Sequence, residues 1–122
     1  MDRTVLVCDD ERYILETVAY LVRQEGYRVL TAEGGREALR LAQAERPDLL
    51  LLDIAMPDLD GYAVCRQLKS AAATRGIYII LLTCLGQESD LEEGWRSGAD
   101  ELLSKPFDPR QLRRKLHQLL DG

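Results

Sequence analysis

Four short apolar runs, each closed by a polar side chain, constrain the fold of this chain more than any other feature. Runs of this length are typical of strands that are buried on both faces of a parallel sheet. Because the carboxyl ends of parallel strands lie along one edge of a sheet, we expect the closing side chains to meet there. The runs and the residues that close them are 5–8 with Asp9 and Asp10, 49–52 with Asp53, 77–82 with Thr83, and 102–103 with Lys105.

Strand-like and helix-like segments alternate five times along the 122 residues, which predicts βαβ units in a single α/β domain. We expect the second strand to be an edge strand and the fourth helix, whose only large apolar side chains are Leu91 and Trp95, to pack least tightly. The expected strands are Thr4–Cys8, Tyr27–Thr31, Asp48–Asp53, Ile77–Thr83 and Glu101–Ser104. The expected helices are Glu11–Gln24, Gly35–Ala44, a third from Gly61 to about Ala73, Glu88–Ser97, and a fifth after Asp108-Pro109.

The composition argues against several functional classes. With a net charge of −5, the domain is not expected to bind nucleic acid through a basic face. No apolar segment approaches the roughly 18 residues of a membrane span, and the N-terminus lacks the form of a secretory signal. The three cysteines, Cys8, Cys65 and Cys84, have no paired spacing. We interpret them as reduced, mostly buried thiols of a cytoplasmic protein.

The converging acidic residues predict a metal and phosphoryl site. Two carboxylates about 4 Å apart repel by roughly 4 kcal/mol at an effective dielectric near 20. Lys105 offers one compensating charge, and a hard divalent cation such as Mg²⁺ suits the remaining oxygen ligands. Asp53 stands alone at its strand end, so we expect it to be the nucleophile that forms an acyl phosphate, with Asp9 and Asp10 better placed to hold the metal. No set of cysteine and histidine ligands indicates zinc, and His117 is expected to stand alone on a helix surface.

The motifs around these residues resemble those of the response regulator receiver domain, the phosphoacceptor domain of two-component signal transduction. The resemblance covers essentially the whole chain and implies a flavodoxin-like (βα)5 sandwich of three layers, with a parallel sheet in the order 2-1-3-4-5. Residues 1–122 would form one receiver domain, either complete or excised from a longer regulator. The motifs are Val7–Glu11, Leu51–Gly61, Leu81–Thr83, Gly98–Asp100 and Lys105–Phe107.

The resemblance also implies a function and a role for each site residue. A sensor histidine kinase or phosphotransfer protein would phosphorylate Asp53 in a reaction that requires Mg²⁺. The domain would catalyse only this transfer and a slow autodephosphorylation, and it would not act as an enzyme on a separate substrate. The Lys105–Pro106 peptide bond should be cis. The implied roles are Mg²⁺ binding by the carboxylates of Asp10 and Asp53, by Asp9 through water and by the backbone carbonyl of Ala55, and phosphoryl contacts by Thr83 and Lys105.

The chain departs from the family pattern at four positions. Leu102 stands where the family usually has an aromatic ring that turns inward on activation, and Cys84 replaces the usual small residue after the switch threonine. Ala55 and Leu85 occupy the two positions that tune dephosphorylation in the family. Neither side chain can orient an attacking water by hydrogen bonding, so we expect a long-lived phosphoryl group.

Two other functional classes stay open at the level of the sequence. One is a Mg²⁺-dependent phosphatase with an aspartate nucleophile, although those enzymes resemble one another in an Asp-x-Asp pattern that Cys8–Glu11 does not match. The other is an interaction module of the same fold that works without phosphorylation. For the receiver, we expect phosphorylation to change the surface made by helix four, strand five and helix five, which could then form a homodimer.

Overall fold

The computed structural model describes residues 2–84 and 88–121, the side chains of residues 84 and 88–90 excepted. Five parallel strands form one sheet in the order β2-β1-β3-β4-β5, which confirms the predicted flavodoxin-like α/β fold. The strands are β1 (Thr4–Cys8), β2 (Arg28–Ala32), β3 (Leu49–Asp53), β4 (Tyr78–Cys84) and β5 (Glu101–Lys105). The helices are α1 (Arg12–Gln24), α2 (Gly35–Glu45), α3 (Gly61–Ser70), α4 (Glu88–Arg96) and α5 (Pro109–Leu120).

The central strands are buried on both faces, as their continuous apolar runs predicted. Leu49, Leu50, Leu51 and Leu52 of β3 each have 0% exposed surface. Because successive side chains of a strand point to opposite faces, β3 contributes alternately to two clusters. Leu50 and Leu52 pack with apolar residues of α2 and α3, whereas Leu49 and Leu51 pack with those of α1 and α5. The layer of α2 and α3 and the layer of α1 and α5 therefore pack on opposite faces of the sheet and keep its carboxyl edge in a fixed position.

Most element boundaries lie within one residue of the sequence prediction, and the largest difference is at the end of α3. The helix α3 ends at Ser70 rather than near Ala73. Its end is stabilised by Thr74, which is buried and donates a hydrogen bond from Oγ1 to the carbonyl oxygen of Leu68 at 2.7 Å. The strand β2 is shifted by one residue and is the edge strand that was expected.

Several smaller expectations are also settled by the structure. Cys8 and Cys65 are buried free thiols, and Cys84 has a side chain outside the described residues. Leu91 and Trp95 of α4 are exposed, in keeping with the weak packing expected of this helix. The peptide bond between Lys105 and Pro106 is cis. Within residues 2–84 and 88–121, no helix has the length and apolar character that crossing a membrane requires.

Candidate functional site

The carboxyl edge of the sheet brings the predicted side chains together. In the parallel register, Cys8 pairs with Leu52 and Cys84 pairs with Lys105, so the strand ends lie level across the sheet. Asp9 directly follows β1, Asp53 is the last residue of β3, and Lys105 is the last residue of β5. The fold therefore builds the site from segments that are far apart in the chain.

Lys105 is the centre of the site. Its ammonium nitrogen, Nζ, donates to Asp9 Oδ2 at 2.9 Å and to Asp53 Oδ1 at 2.8 Å. Both acidic side chains are buried, with residue exposures of 1% for Asp9 and 8% for Asp53. Such charge-assisted hydrogen bonds to buried carboxylates are among the stronger polar contacts in proteins, so Lys105 fixes the relative position of β1 and β3 at this edge.

The carboxylates of Asp9 and Asp53 are engaged to different extents. Asp9 uses both oxygens, because Oδ1 accepts a hydrogen bond from the backbone nitrogen of Glu11 at 2.9 Å while Oδ2 accepts from Lys105. Asp53 uses Oδ1 for Lys105, and its Oδ2 accepts no hydrogen bond from the described residues. The second oxygen of Asp53 is thus the one that is available for further chemistry.

The electrostatics of the site leave its negative charge only partly compensated. Burial raises the pKa of Asp53, the neighbouring Asp9 raises it further, and the hydrogen bond from Lys105 opposes both effects. Burial by itself would lower the pKa of Lys105, but its hydrogen bonds to Asp53 and Asp9 outweigh that effect and raise it. The ammonium group is therefore held charged, and one positive charge faces three acidic side chains once the exposed Asp10 is counted.

The three acidic residues have the geometry that a cation site requires. One carboxylate oxygen from each of Asp9, Asp10 and Asp53 lies within 4.8 Å of the others. Oxygen donors alone, in a cluster with excess negative charge, match the ligand preference of Mg²⁺. The donor set therefore fits the cation that the sequence predicted.

Thr83 and Ala55 are the remaining predicted site residues. Thr83 is buried near the end of β4, where it pairs with Ser104 of β5. Ala55 is exposed in the loop that follows β3, two residues after Asp53. Leu85, the other position expected to tune dephosphorylation, lies outside the described residues.

The loop between β3 and α3 ends at Gly61, where the third helix was predicted to begin, and it contains a helix cap, Asp60, that the sequence did not predict. The backbone nitrogen of Gly61 donates to the carbonyl oxygen of Ile54 at 2.8 Å and closes the loop. A Cβ atom at Gly61 would lie 2.5 Å from the carbonyl oxygen of Asp53, so only glycine allows this close approach. Asp60 caps α3 by accepting from the backbone nitrogen of Ala63 at 2.9 Å. The signal in the sequence was the Asp-Leu-Asp-Gly series after Pro57, which is typical of a tight loop.

The expectation that His117 stands alone is wrong. Its Nε2 lies 2.7 Å from Glu25 Oε1, and its Nδ1 contacts both Asp121 and the hydroxyl of Tyr27. Glu25 and Tyr27 are about 90 residues away in the chain and no local signal marks them, whereas Asp121 lies four residues after His117 at the end of α5. The imidazole of His117, the two carboxylates and the phenol form a polar cluster that is separate from the acidic site.

Comparison with known proteins gives the class of the domain. Residues 5–117 match the family model described as the response regulator receiver domain. The chain is 39% identical over 120 residues to the alkaline phosphatase synthesis transcriptional regulatory protein PhoP of Bacillus subtilis (strain 168), covering 98% of this chain and 49% of that protein. The chain thus spans about half the length of the curated relatives it matches.

Solved structures agree with this match. The chemotaxis protein CheY4 of Vibrio cholerae is 32% identical with a TM-score of 0.90, over 98% of this chain and 100% of that one. The receiver domain of the sensor histidine kinase PA1611 of Pseudomonas aeruginosa PAO1, with a magnesium ion coordinated in its active site cleft, is 30% identical with a TM-score of 0.90 over 100% of both chains. This chain belongs to the response regulator receiver domain family, whose members are signalling proteins of two-component systems.

Proposed function

We propose that this domain accepts a phosphoryl group on Asp53 and thereby works as a switch. The observation that supports this most is the placement of Lys105, which holds Asp53 through one oxygen and leaves Oδ2 without a donor among the described residues. A carboxylate oxygen can attack phosphorus and form an acyl phosphate. The family of the chain, in which a histidine kinase or phosphotransfer protein supplies the phosphoryl group, supports the same role.

The proposed transfer needs positioning and charge neutralisation more than acid–base chemistry. Oδ2 of Asp53 forms the new bond to phosphorus, and the bond between phosphorus and the imidazole nitrogen of the donor's phosphohistidine breaks. The imidazole leaves and takes up a proton from solvent. Lys105 then neutralises one phosphoryl oxygen, and the hydroxyl of Thr83 donates a hydrogen bond to another.

We assign the Mg²⁺ ligands to the same acidic cluster. Asp10 and Asp53 bind through carboxylate oxygens, whereas Asp9 acts through water because Glu11 and Lys105 already occupy both of its oxygens. The backbone carbonyl of Ala55 completes the proposed protein ligands. When bound, the cation neutralises the negative charge of the carboxylates and of the incoming phosphoryl oxygens.

The proposed output is a change in the surface formed by α4, β5 and α5. Thr83 leads toward α4 and Lys105 ends β5, so contacts of both with a new phosphoryl group would pull on these elements. This surface also suits a homodimer by charge, since residues 88–93 include four acidic residues and residues 110–117 include four Lys and Arg residues. We place the domain in the cytoplasm, as a complete regulator or as the receiver of a longer one, with no direct contact of its own to nucleic acid or membrane.

The proposed phosphoryl group should be long-lived. Ala55 and Leu85 occupy the positions that tune dephosphorylation in the family, and an aliphatic side chain cannot orient an attacking water. Slow autodephosphorylation would keep the switch on until a partner acts. Rapid turnover of p-nitrophenyl phosphate in the presence of Mg²⁺ would instead favour a phosphatase.

The proposed function is tested with small-molecule phosphodonors. Incubation with Mg²⁺ and phosphoramidate should add one phosphoryl group in intact-mass analysis, and Asp53→Asn should abolish the adduct while Asp121→Asn, at the far end of α5, retains it. Calorimetry should show weak Mg²⁺ binding that Asp10→Ala reduces by about tenfold or more, because a direct ligand is lost. An unchanged adduct on the Asp53→Asn variant would rule out the assignment.

A further inference from the structure

Asp58 ties the loop after β3 to the start of α2, the helix that packs beside α3. Its Oδ1 accepts from the backbone nitrogen of Gly35 at 3.0 Å and from that of Leu59 at 2.8 Å. Its Oδ2 accepts from the backbone nitrogen of Arg36 at 3.1 Å. Gly35 and Arg36 are the first residues of α2, so a carboxylate from a different segment binds the free N–H groups of this helix.

The helix α2 has no side-chain cap of its own, which makes Asp58 its cap. The N-cap position of α2 is Gly34, and no side chain within the helix start accepts a hydrogen bond there. Hydrogen bonds from the backbone nitrogens, that of Arg36 foremost, lower the pKa of Asp58, so the carboxylate is charged when it makes these contacts. A negative charge at the N-terminus of a helix is also favoured by the helix dipole.

Two glycines allow the loop to approach α2 this closely. A Cβ atom at Gly35 would overlap the carbonyl oxygen of Leu59, and one at Gly34 would lie 3.0 Å from Asp58 Oδ2. The thiol of Cys8 lies 3.4 Å from the carbonyl oxygen of Gly34 and 3.3 Å from Met56 Sδ. The end of β1, the start of α2 and the loop after β3 are therefore packed together directly behind the acidic cluster.

We propose that Asp58 is a positioning residue for the phosphoryl and metal site. The loop from Ile54 to Gly61 carries the carbonyl group of Ala55, and it begins at Asp53. Asp58 anchors the middle of this loop to α2, and Gly61 anchors its end to Ile54. Without Asp58, the loop loses its only described contacts to the first N–H groups of α2, and the Ala55 carbonyl is no longer held in one position. This inference rests on the proposed function, because it assigns Ala55 to the metal.

The test compares two helix caps that differ in their distance from the site. Asp58→Ala removes the cap of α2, and Asp108→Ala removes the cap of α5, where Asp108 accepts from the backbone nitrogen of Arg110 at 2.8 Å. Both variants should unfold at a lower temperature. Only Asp58→Ala should also weaken Mg²⁺ binding in calorimetry, by about tenfold, and Asp58→Asn, which keeps one acceptor oxygen, should recover part of the loss.

A second variant disrupts the same contact by a change in α2. Gly35→Ala would force the loop and α2 apart while leaving Asp58 intact, and it should weaken Mg²⁺ binding in the same direction. Gly76→Ala is its control, because a Cβ atom at Gly76 meets nothing within 4 Å. Equal Mg²⁺ affinity in the wild type, Asp58→Ala and Gly35→Ala would overturn the proposal.

The outcome for Asp58 can be separated from that for the proposed function. Hydrogen exchange at the amide of Gly61, which closes the loop, should accelerate in Asp58→Ala and not in Asp108→Ala. If the wild type bound no Mg²⁺ and gained no phosphoryl group, the proposed function would fail, and faster exchange at Gly61 would still support the anchoring role. If the wild type were phosphorylated normally and exchange at Gly61 were unchanged in Asp58→Ala, the positioning role of Asp58 would be refuted and the proposed function would stand.

Discussion

His117 lies in a polar cluster that joins the end of α5 to α1 and β2. Its ring contacts Glu25, Asp121 and Tyr27, and the hydroxyl of Tyr27 also donates to Asp121 at 3.0 Å. The hydrogen bonds to Asp121 and Glu25 raise the pKa of His117 from its ordinary value of 6.5. Burial, with a contribution from Asp121, raises the pKa of Tyr27 to about 12, so this phenol stays neutral across the physiological range. The cluster therefore determines the pH range over which His117 is charged.

We expect His117→Gln to lower the melting temperature by an amount that depends on pH. Because the folded-state pKa is raised, the charged His117 contributes its full stabilisation below pH 6.5 and loses it as the pH rises through the folded-state value. The difference in melting temperature between wild type and His117→Gln should therefore be largest near pH 6 and shrink toward pH 9.

The control for this prediction is Gln118→Ala, a change at the exposed neighbour of His117 on the same helix. Its melting temperature relative to the wild type should not vary with pH over this interval. A difference for His117→Gln that grew with rising pH would contradict the assigned direction of the pKa shift.

At the scale of elements, α4 rests on β5 through a glycine. A Cβ atom at Gly94 would lie 2.6 Å from Cδ2 of Leu102 and 3.2 Å from its Cδ1. The side chain of Leu102 thus occupies the space that Gly94 leaves on the inner face of α4. Leu102 is the residue that replaces the aromatic ring typical of the family, so here an aliphatic side chain fills the contact between α4 and β5.

We expect Gly94→Ala and Leu102→Ala to be strongly coupled. In a helix, Ala is intrinsically about 1 kcal/mol more stable than Gly, but in the wild-type background the clash with Leu102 should offset that gain. In the Leu102→Ala background the clash is gone, and Gly94→Ala should raise the free energy of unfolding by about 1 kcal/mol. Urea unfolding of the four proteins in the double-mutant cycle measures this coupling.

The matched control for the cycle is Gly76→Ala. A Cβ atom there meets nothing within 4 Å, so the change should have the same effect with and without Leu102→Ala. Additive effects of Gly94→Ala and Leu102→Ala would show that the two residues do not share this space.

At the scale of the whole molecule, an apolar groove adjoins the acidic site. The groove lies between α1 and the segment after β5, and Lys105 lines it as well as the site. Tyr13 stands at this groove with 82% of its surface exposed, and Pro106 and Phe107 form the opposite side. The proposed function requires a protein donor to bring its phosphohistidine to Asp53, and an apolar surface next to Lys105 suits the docking of that donor.

We expect Tyr13→Ala to slow phosphorylation by a protein donor and not by a small molecule. Tyr is enriched among the interface residues whose truncation costs more than about 1 kcal/mol, so transfer from a phosphorylated histidine kinase should fall by about fivefold or more. Transfer from phosphoramidate should be unchanged, because that donor needs no docking surface.

Tyr20→Ala is the control on the same helix. Tyr20 is also exposed, at 60%, and is not among the residues that line the groove. Its transfer rates from both donors should match the wild type. An equal loss in both tyrosine variants would indicate a general effect of α1 rather than docking in the groove.

We expect beryllofluoride, a mimic of the phosphoryl group, to alter protection from hydrogen exchange in α4, β5 and α5. The proposed contacts of Thr83 and Lys105 with the mimic would act on the ends of β4 and β5, and Leu91 and Trp95 of the adjoining α4 are exposed rather than packed in the core. Leu102→Ala should keep the response, since no aromatic ring has to turn. Changes confined to α1 and α2 would contradict the proposed output surface.

The order of elements and the edge of the sheet that holds the site followed from the sequence. Continuous apolar runs showed which strands were buried, and the residues that closed those runs had to lie on one edge. Asp9, Asp53 and Lys105 were therefore predicted together and are found together. The end of α3 was predicted too late, because the buried Thr74 that stabilises it gives no local signal of burial.

The pairing of side chains was decided only by the tertiary structure. Lys105 bonds to Asp9 across 96 residues, Asp58 to Gly35 across 23, and His117 to Glu25 across 92. Periodicity and turn chemistry act over a few residues and predict helices, strands and loops. Which oxygen accepts from which nitrogen depends on distances of about 3 Å, and those are set when the helices pack on the sheet.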